Sequence, residues 1–342
     1  MRPDVAPPWE RPGVVTRRFG DLTIHALRSG WVRCKEAHRT LSVPAALRLP
    51  AILLDPRWTE WMPVTVYAIE HPDGVFLVDA GQTAETSITD RLATDPGTRL
   101  FYRHFLDLAF REEERIDQRL RSVGLDVSDV RGVVLTHMHA DHGDGLRALP
   151  SGLDVHIGAA DSRGHQGAIA IAGDRARVRA VEHAGEPFGA MPFSTPLTRD
   201  GRVCAVPLPG HSPGHVGVMV SLESHHQAVD VSPQAVNQPA ELRGSKNLAM
   251  PKRLPSRPPS NVRYALFAGD AAFSLAQVAT RTIAGICERP REARTTLEWV
   301  RAQLESSSTM LMLSHEPASV DRLADGRAAS LEPTDKQRGA SA

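Results

Sequence analysis

Cysteine is nearly absent. Cys34, Cys204 and Cys287 are scattered through 342 residues and make no Cys-x-x-Cys pair, which argues against a disulfide framework or a thiolate metal site and fits a reducing cytoplasm. An excess of either charge is also missing. Forty basic and 40 acidic side chains leave a formal net charge of +0, so no global field favours nucleic acid or an anionic membrane. Lysine is confined to Lys35, Lys246, Lys252 and Lys336, and the positive charge is nearly all arginine. No apolar run approaches the ~20 residues of a membrane span. The start of the chain carries Pro3, Pro7, Pro8 and Pro12 and lacks the apolar core of a signal peptide. The expectation is a soluble cytoplasmic protein whose partner is a small molecule rather than nucleic acid or membrane. Aromatics make up only 5% of the chain, yet Phe101, Tyr102, Phe105 and Phe110 gather in one stretch. Such a cluster can wall an apolar pocket, form a homodimer contact or pack in the core.

Histidine is what the chain has. After the apolar run Val133-Val134-Leu135 comes Thr136-His137-Met138-His139-Ala140-Asp141-His142-Gly143-Asp144-Gly145, with three histidines and a carboxylate inside six residues. Imidazole and carboxylate suit zinc and similar divalent ions, and the run supplies enough ligands for more than one metal. If the strand ends at Leu135, His137 and His139 at i and i+2 can point to one side of an extended tip. A turn into a helix near residues 143–149 would let Asp141 and His142 face a second ion.

The rest of the chain reads as short strands and a few helices. Residues 1–13 read as a disordered or draped arm, 14–324 as one domain with a flexible insertion at 223–262, and 325–342 as a disordered tail. Residues 22–27 alternate as a strand before a turn at Ser29-Gly30, and 64–69 and 75–78 form a hairpin through His71-Pro72-Asp73-Gly74. An amphipathic helix spans 112–123, with Gly124 as its stop. Residues 159–183 are helix-compatible, and Arg175, Arg177 and Arg179 read there as a solvated face. Strands follow at 203–206, 216–220, 264–268 and 309–313, with a helix at 290–305. Trp58 and Trp61 can line an entrance or cover the core, and the His225-His226 pair in the insertion reads as solvated loop. One event recurs five times: a short apolar strand ends and a potential ligand stands at its tip. The five are Asp79, the 137–142 cluster, His211, Asp270 and His315. Tips along one edge of a layered sheet can converge on one site.

In kind, order and spacing these residues resemble the metallo-β-lactamase superfamily over about residues 20–320. Within it the look is nearest to the N-acyl homoserine lactonase branch, through Asp79-Ala80-Gly81, the acidic stretch at Glu113, the histidine run, Pro209-Gly210-His211-Ser212-Pro213-Gly214-His215, Gly269-Asp270-Ala271-Ala272 and Ser314-His315. The resemblance implies an α/β layered fold, an αββα sandwich with a binuclear site at one edge. It implies two divalent ions, zinc by expectation, one held by His137, His139 and His211, the other by Asp141, His142 and His315. Asp270 would bridge them with a hydroxide that attacks the substrate, Asp141 would shuttle a proton to the leaving group, and Asp79 and His215 would support the ligands from behind. The implied activity is hydrolysis of a lactone or carboxylic ester. Three residues after the bridging aspartate the lactonases place a tyrosine that contacts the substrate carbonyl, whereas this chain has Phe273, which has no hydroxyl to donate. An aryl phosphotriesterase of the same fold and a non-catalytic metal-binding protein are the alternatives. A nuclease is disfavoured by the charge balance.

Overall fold

Two runs of alternating β-branched residues build two sheets, and the site lies where their strand ends meet. The computed structural model describes residues 5–40, 43–84, 96–164, 167–169, 176–223 and 262–331. The expected insertion at 223–262 and the His225-His226 pair fall almost wholly outside the described residues. Among those described, the first sheet holds β1 (Val14–Phe19), β2 (Leu22–Cys34), β3 (Met62–His71), β4 (Gly74–Val78), β5 (Leu106–Ala109), β6 (Val130–Val134), β7 (Leu153–Gly158) and β8 (Ala176–Val181). Its order is β1-β2-β3-β4-β6-β7-β8, with β5 paired to β2. The second sheet holds β9 (Thr195–Pro196), β10 (Val203–Pro207), β11 (Val216–Ser221), β12 (Tyr264–Gly269) and β13 (Thr309–Leu313), in the order β13-β12-β11-β10-β9.

Direction is what matters for the site. Strands β4, β6 and β7 run parallel, and so do β12 and β13. Strand β10 is antiparallel to β11, which is antiparallel to β12, so β10 and β12 point the same way. The carboxyl ends of these strands deliver the five sequence tips.

The helices in chain order are α1 (Glu36–Arg39), α2 (Ala45–Leu54), α3 (Pro96–Phe105), α4 (Ile116–Ser122), α5 (Ala140–Gly143), α6 (Leu275–Thr280), α7 (Pro290–Ser306) and α8 (Pro317–Asp325). Inward side chains of both sheets share one core, in which Ile24, Ile69 and Val134 pack with Val218, Phe267 and Met312. The Tyr67 and Phe267 rings meet across it at 4.9 Å. On the outer face of the first sheet, Ile116 and Leu120 of α4 pack on Leu77 and Val133. On that of the second, Leu297 and Val300 of α7 pack on Met219 and Leu311. Each fully buried aliphatic side chain contributes roughly 1.5–3 kcal/mol of transfer free energy. The layering is therefore α/β/β/α, the sandwich expected from the sequence.

Several local expectations are corrected. Ser29-Gly30 is no turn: β2 continues through it with a register shift between Arg28 and Trp31. A Cβ at Gly30, whose φ is +133°, would lie 2.7 Å from the Ala109 carbonyl oxygen, so the glycine lets β5 approach. The helix expected at 112–123 is split into a 3₁₀ turn (Glu112–Glu114) and α4. The break lets Glu114 turn inward, where its buried carboxylate takes Arg28 Nε at 2.8 Å and Arg119 at 3.0 Å. The helix-compatible stretch before residue 183 ends instead in the edge strand β8, whose Arg177 and Arg179 stand in solvent and pair with Asp154. Arginine on an exposed edge is a common way to discourage further strand pairing. Of the two readings of the amino-terminal arm, its described part takes the draped one: Trp61 Nε1 donates to the Val5 carbonyl at 2.7 Å and Arg28 donates to that of Arg11 at 2.7 Å. Its prolines forbid strand pairing but leave carbonyls free to accept. At the other end the chain stays packed beyond residue 325, with the Ala329 N–H donating to the Thr309 carbonyl at 2.8 Å and Leu331 against the core. Among the described residues no helix is long and apolar enough to cross a membrane.

Candidate metal centre

The turn after β4 is strained where it is most used. Asp79 has φ +64°, a left-handed conformation that residues other than glycine rarely adopt. Its buried carboxylate accepts from the Thr136 N–H at 2.8 Å, from Thr136 Oγ1 at 2.9 Å and from His142 Nδ1 at 2.8 Å. A plain turn aspartate would face water. Asp79 instead fixes the start of the histidine run and, by taking the Nδ1 proton, leaves the Nε2 lone pair of His142 pointing into the site. Thr136 Oγ1, its own proton given to Asp79, stands 3.1 Å from His137 Nδ1 and accepts from it. His315 Nδ1 donates to the Pro63 carbonyl at 2.9 Å. Three histidines are thus held in the tautomer that turns Nε2 inward.

The inward atoms converge. His137 Nε2 lies 2.8 Å from His139 Nδ1, and His211 Nε2 lies 3.2 Å from the same atom. On the other side, His142 Nε2 is 3.3 Å from His315 Nε2, and His315 Nε2 is 3.4 Å from Asp141 Oδ2. Asp270 stands between the halves, with Oδ2 3.7 Å from His211 Nε2 and Oδ1 3.3 Å from His315 Nε2. Three sets have donor atoms mutually within 4.8 Å: His137, His139 and His211; His137, His142 and Asp270; Asp141, His142 and His315. All seven residues that the sequence singled out as ligands come together.

Charge divides the site in the same way. Burial, aided by neighbouring imidazoles, holds His137 and His211 well below the ordinary histidine range. Burial also opposes charge on His142 and His315, but carboxylates outweigh it. Asp79, Asp141 and Asp270 raise His142 to about 10, and Asp270 and Asp141 raise His315. For Asp270, burial is outweighed by His315 and His142, which hold its carboxyl well below the usual carboxylate range.

The residues fit divalent cations. Several inward imidazole nitrogens and carboxylate oxygens crowd each other near hydrogen-bond distance. Asp270 Oδ1 and His211 Nδ1 are buried without a hydrogen-bond partner. A buried carboxylate oxygen left unbonded is costly, and a cation is the group that satisfies such a set of imidazole and carboxylate donors at once.

His215 lies beside the cluster: its Nε2 accepts from the Asp270 N–H at 3.2 Å. Gly269, at φ +51°, brings the Asp270 backbone this close, since a Cβ there would meet His215 Nε2 at 2.8 Å. Phe273 stacks on His315 with ring centroids 5.6 Å apart and 13° between planes. Beyond the ring a cavity of about 520 Å³ opens, lined by His139, Asp141, Asp270 and His315 at its base and by Phe101, Tyr102 and Leu106 on one wall. Of the aromatic stretch, Phe101 and Tyr102 therefore wall the pocket, whereas Phe105 and Phe110 do not line it. Trp58 and Trp61 do not line it. They pack instead against basic side chains, with Arg33 over the Trp61 ring at 4.6 Å and Lys35 over that of Trp58 at 4.6 Å.

Two supporting contacts of the site were not expected from the sequence. The Tyr102 hydroxyl accepts from the Ala140 N–H at 3.2 Å and donates to the Gly167 carbonyl at 3.0 Å, pinning α5. Asp161 accepts from Ser212 Oγ at 2.5 Å and from the Gly214 N–H at 2.6 Å, fixing the loop that carries His211. It stands just past the end of β7, so the strand-tip pattern could have found it.

Known proteins agree with this architecture. Residues 59–226 match the family model of the metallo-β-lactamase superfamily. A probable metallo-hydrolase of Mycobacterium tuberculosis is 36% identical over 167 residues, which cover 45% of this chain and 51% of that protein. The chain thus spans about half the length of that curated relative. The N-acyl homoserine lactonase AttM of Azorhizobium caulinodans is 25% identical over 212 residues, covering 59% of this chain and 72% of that one. A solved N-acyl homoserine lactone hydrolase, with N-hexanoyl-L-homoserine at its catalytic metal centre, superposes with TM-score 0.60 over 87% of this chain and 94% of its own, at 13% identity, a likeness of fold. Over residues 59–226, which contain the histidine run, the chain matches the metallo-β-lactamase superfamily, and its αββα sandwich carries the cluster of imidazoles and carboxylates at one edge.

Proposed function

We propose that the chain is a hydrolase of a lactone or carboxylic ester that works with two divalent cations, zinc in the first instance. The observation that carries this reading is the buried Asp270 carboxylate, set between two histidine-rich groups with Oδ1 unbonded. In this reading His137, His139 and His211 hold one ion, Asp141, His142 and His315 the other, and Asp270 serves both. Bound there, the ions supply a Lewis acid for the acyl carbonyl and lower the pKa of an attacking water toward neutrality. The protein's own share is orientation. Asp79, Thr136 and Pro63 fix the imidazole tautomers, and His215 fixes the Asp270 backbone. Asp141, at the floor of the cavity, is placed to hand a proton to the departing oxygen. Phe273 keeps water from the His315 side but gives no hydrogen bond to the carbonyl. The lactonases among the relatives support the choice of substrate class.

The partner in this reading is a small molecule, and the three buried free thiols suit a cytoplasmic location. A homodimer belongs to the same proposal, supported by the exposed Leu47 and Leu54 of α2 and Leu100 of α3. Light scattering tests it.

The deciding experiment joins metal quantitation to a panel of lactones, aryl esters and aryl phosphotriesters. Wild type should carry about two ions per chain and hydrolyse lactones or esters, and Asp270→Ala should lose at least ~100-fold in rate along with bound metal. Phe273→Tyr should raise lactone turnover by up to about 100-fold, the worth of one oxyanion donor. Metal-replete protein inert on every lactone and ester sinks the reading, and activity on phosphotriesters alone transfers it to that class.

A further inference from the structure

The cavity over the metal centre contains a cation that the hydrolytic reading does not use. Arg48 of α2 is 8% exposed and lines the cavity. Its guanidinium donates to Cys287 Sγ at 2.8 Å and approaches the Cys287 carbonyl at 3.5 Å, and its buried Nε has no partner. Among the described residues no carboxylate pairs with it. Every other arginine as buried is engaged with an anion or a close carbonyl: Arg28 with Glu114, Arg33 with Asp107, Arg202 with Asp21, Arg322 with Glu316. A buried guanidinium with its Nε unfilled and no carboxylate beside it is costly to fold around. It is the state expected of a group that waits for an anion.

Position ties this cation to the chemistry. The segment 285–288 forms the wall between them: the Glu288 N–H donates to the His211 carbonyl at 3.1 Å, and the Ile286 N–H donates to the His38 carbonyl at 3.1 Å. Cys287, between the two, holds Arg48. His38 is also buried, lines the same cavity and has Nδ1 without a hydrogen-bond partner. Arg48 further lines a shallow outer groove where Arg289, Arg291 and Arg294 outnumber Glu288 and Glu292, an excess of positive charge that favours anions at the mouth.

We propose that Arg48, with His38 lining the same cavity, recognises a carboxylate on the substrate remote from the bond that is cleaved. The substrate class then narrows to lactones or esters carrying a free carboxylate. A guanidinium offers the planar pair of donors that a carboxylate accepts. One unpaired cation, with Glu288 on the same wall, balances a single negative charge better than a phosphate dianion. The inference rests on the hydrolytic reading for the bond cleaved, and on Arg48 alone for the anion.

Two measurements on the full metal-loaded chain separate these. In kinetics, mono-4-nitrophenyl glutarate is compared with neutral 4-nitrophenyl butyrate on wild type, Arg48→Met and Arg48→Lys. Wild type should prefer the glutarate ester. Arg48→Met should raise its KM at least about tenfold, the worth of one charge-assisted contact, while kcat/KM for the butyrate stays within about threefold. Arg48→Lys, which keeps the charge and guards against a folding defect, should recover part of the loss. In calorimetry, glutarate and glycerol phosphate are titrated into the same three proteins, so that the anion site is read even if no ester is cleaved. Glutarate binding that Arg48→Met abolishes supports the proposal. Equal loss on both esters, equal glutarate affinity in wild type and Arg48→Met, or tighter binding of the phosphate overturns it.

Discussion

Asp79 shows how much of this site rests on residues that touch no substrate. Its carboxylate spends three hydrogen bonds on Thr136 and His142 from a strained backbone. An amide in its place keeps the shape but presents one oxygen and a donor nitrogen. One of the groups now donating, Thr136 or His142, would face an N–H, and the His142 tautomer would be free to flip. Asp79→Asn should therefore weaken metal binding by about 10- to 100-fold, the usual effect of losing a carboxylate behind a histidine ligand. Competition against a chromogenic chelator reads it, and an unchanged affinity would mean that Asp79 only shapes the turn. In the sequence Asp79 was one aspartate at a strand tip, as consistent with a turn as with a role. What distinguishes them is the contact with Thr136 and His142, 57 and 63 residues away, which no local pattern contains.

At the level of elements, α7 does two separable things. Leu297 packs its inner face on the second sheet, and Thr296 beside it donates Oγ1 to the Pro209 carbonyl at 2.7 Å, tying down the loop that ends in His211. Leu297→Ala should cost about 2–5 kcal/mol of stability by leaving a cavity, with metal content per folded chain unchanged. Thr296→Val should cost only about 1–2 kcal/mol for the orphaned carbonyl and yet lower metal affinity, because the loop is loosened. Denaturant midpoints and metal titrations on both variants check the split, and equal effects on metal binding would contradict it. Helix α7 was legible from Pro290 and the spacing of Leu297, Val300 and Leu304. The strands were legible from alternation. The edge strand β8 was not, because its residues alternate poorly and its pairing with β7 is set by the sheet. The continuity of β2 through Gly30 was hidden for a related reason: a glycine that permits a turn equally permits the close approach of β5.

The whole molecule is two sheets joined by a shared apolar core and, at one edge, by the ligand cluster itself. Asp79 and the histidine run come from the first sheet, while His211, Asp270 and His315 come from the second. The run of four ligands announced metal chemistry by itself. The convergence of the other three followed only from reading parallel strand directions across both sheets, and the unpaired Arg48 had no signal in the sequence at all. Because the donors are split between sheets, cations bound at the edge would cross-link the two halves of the fold, and anything that binds the folded state alone stabilises it by mass action. Stripping the metal with a chelator should therefore lower the thermal midpoint, and titrating zinc back should raise it in a concentration-dependent way. A ligand at 100 times its dissociation constant adds about 2.7 kcal/mol. Asp270→Ala, which removes the donor common to both halves, should melt near the stripped wild type and respond weakly to added zinc. Calorimetry on the four samples decides: a midpoint in wild type that ignores zinc would mean that the edge cluster does not bind it, and an undiminished response in Asp270→Ala would mean that Asp270 does not join the two groups.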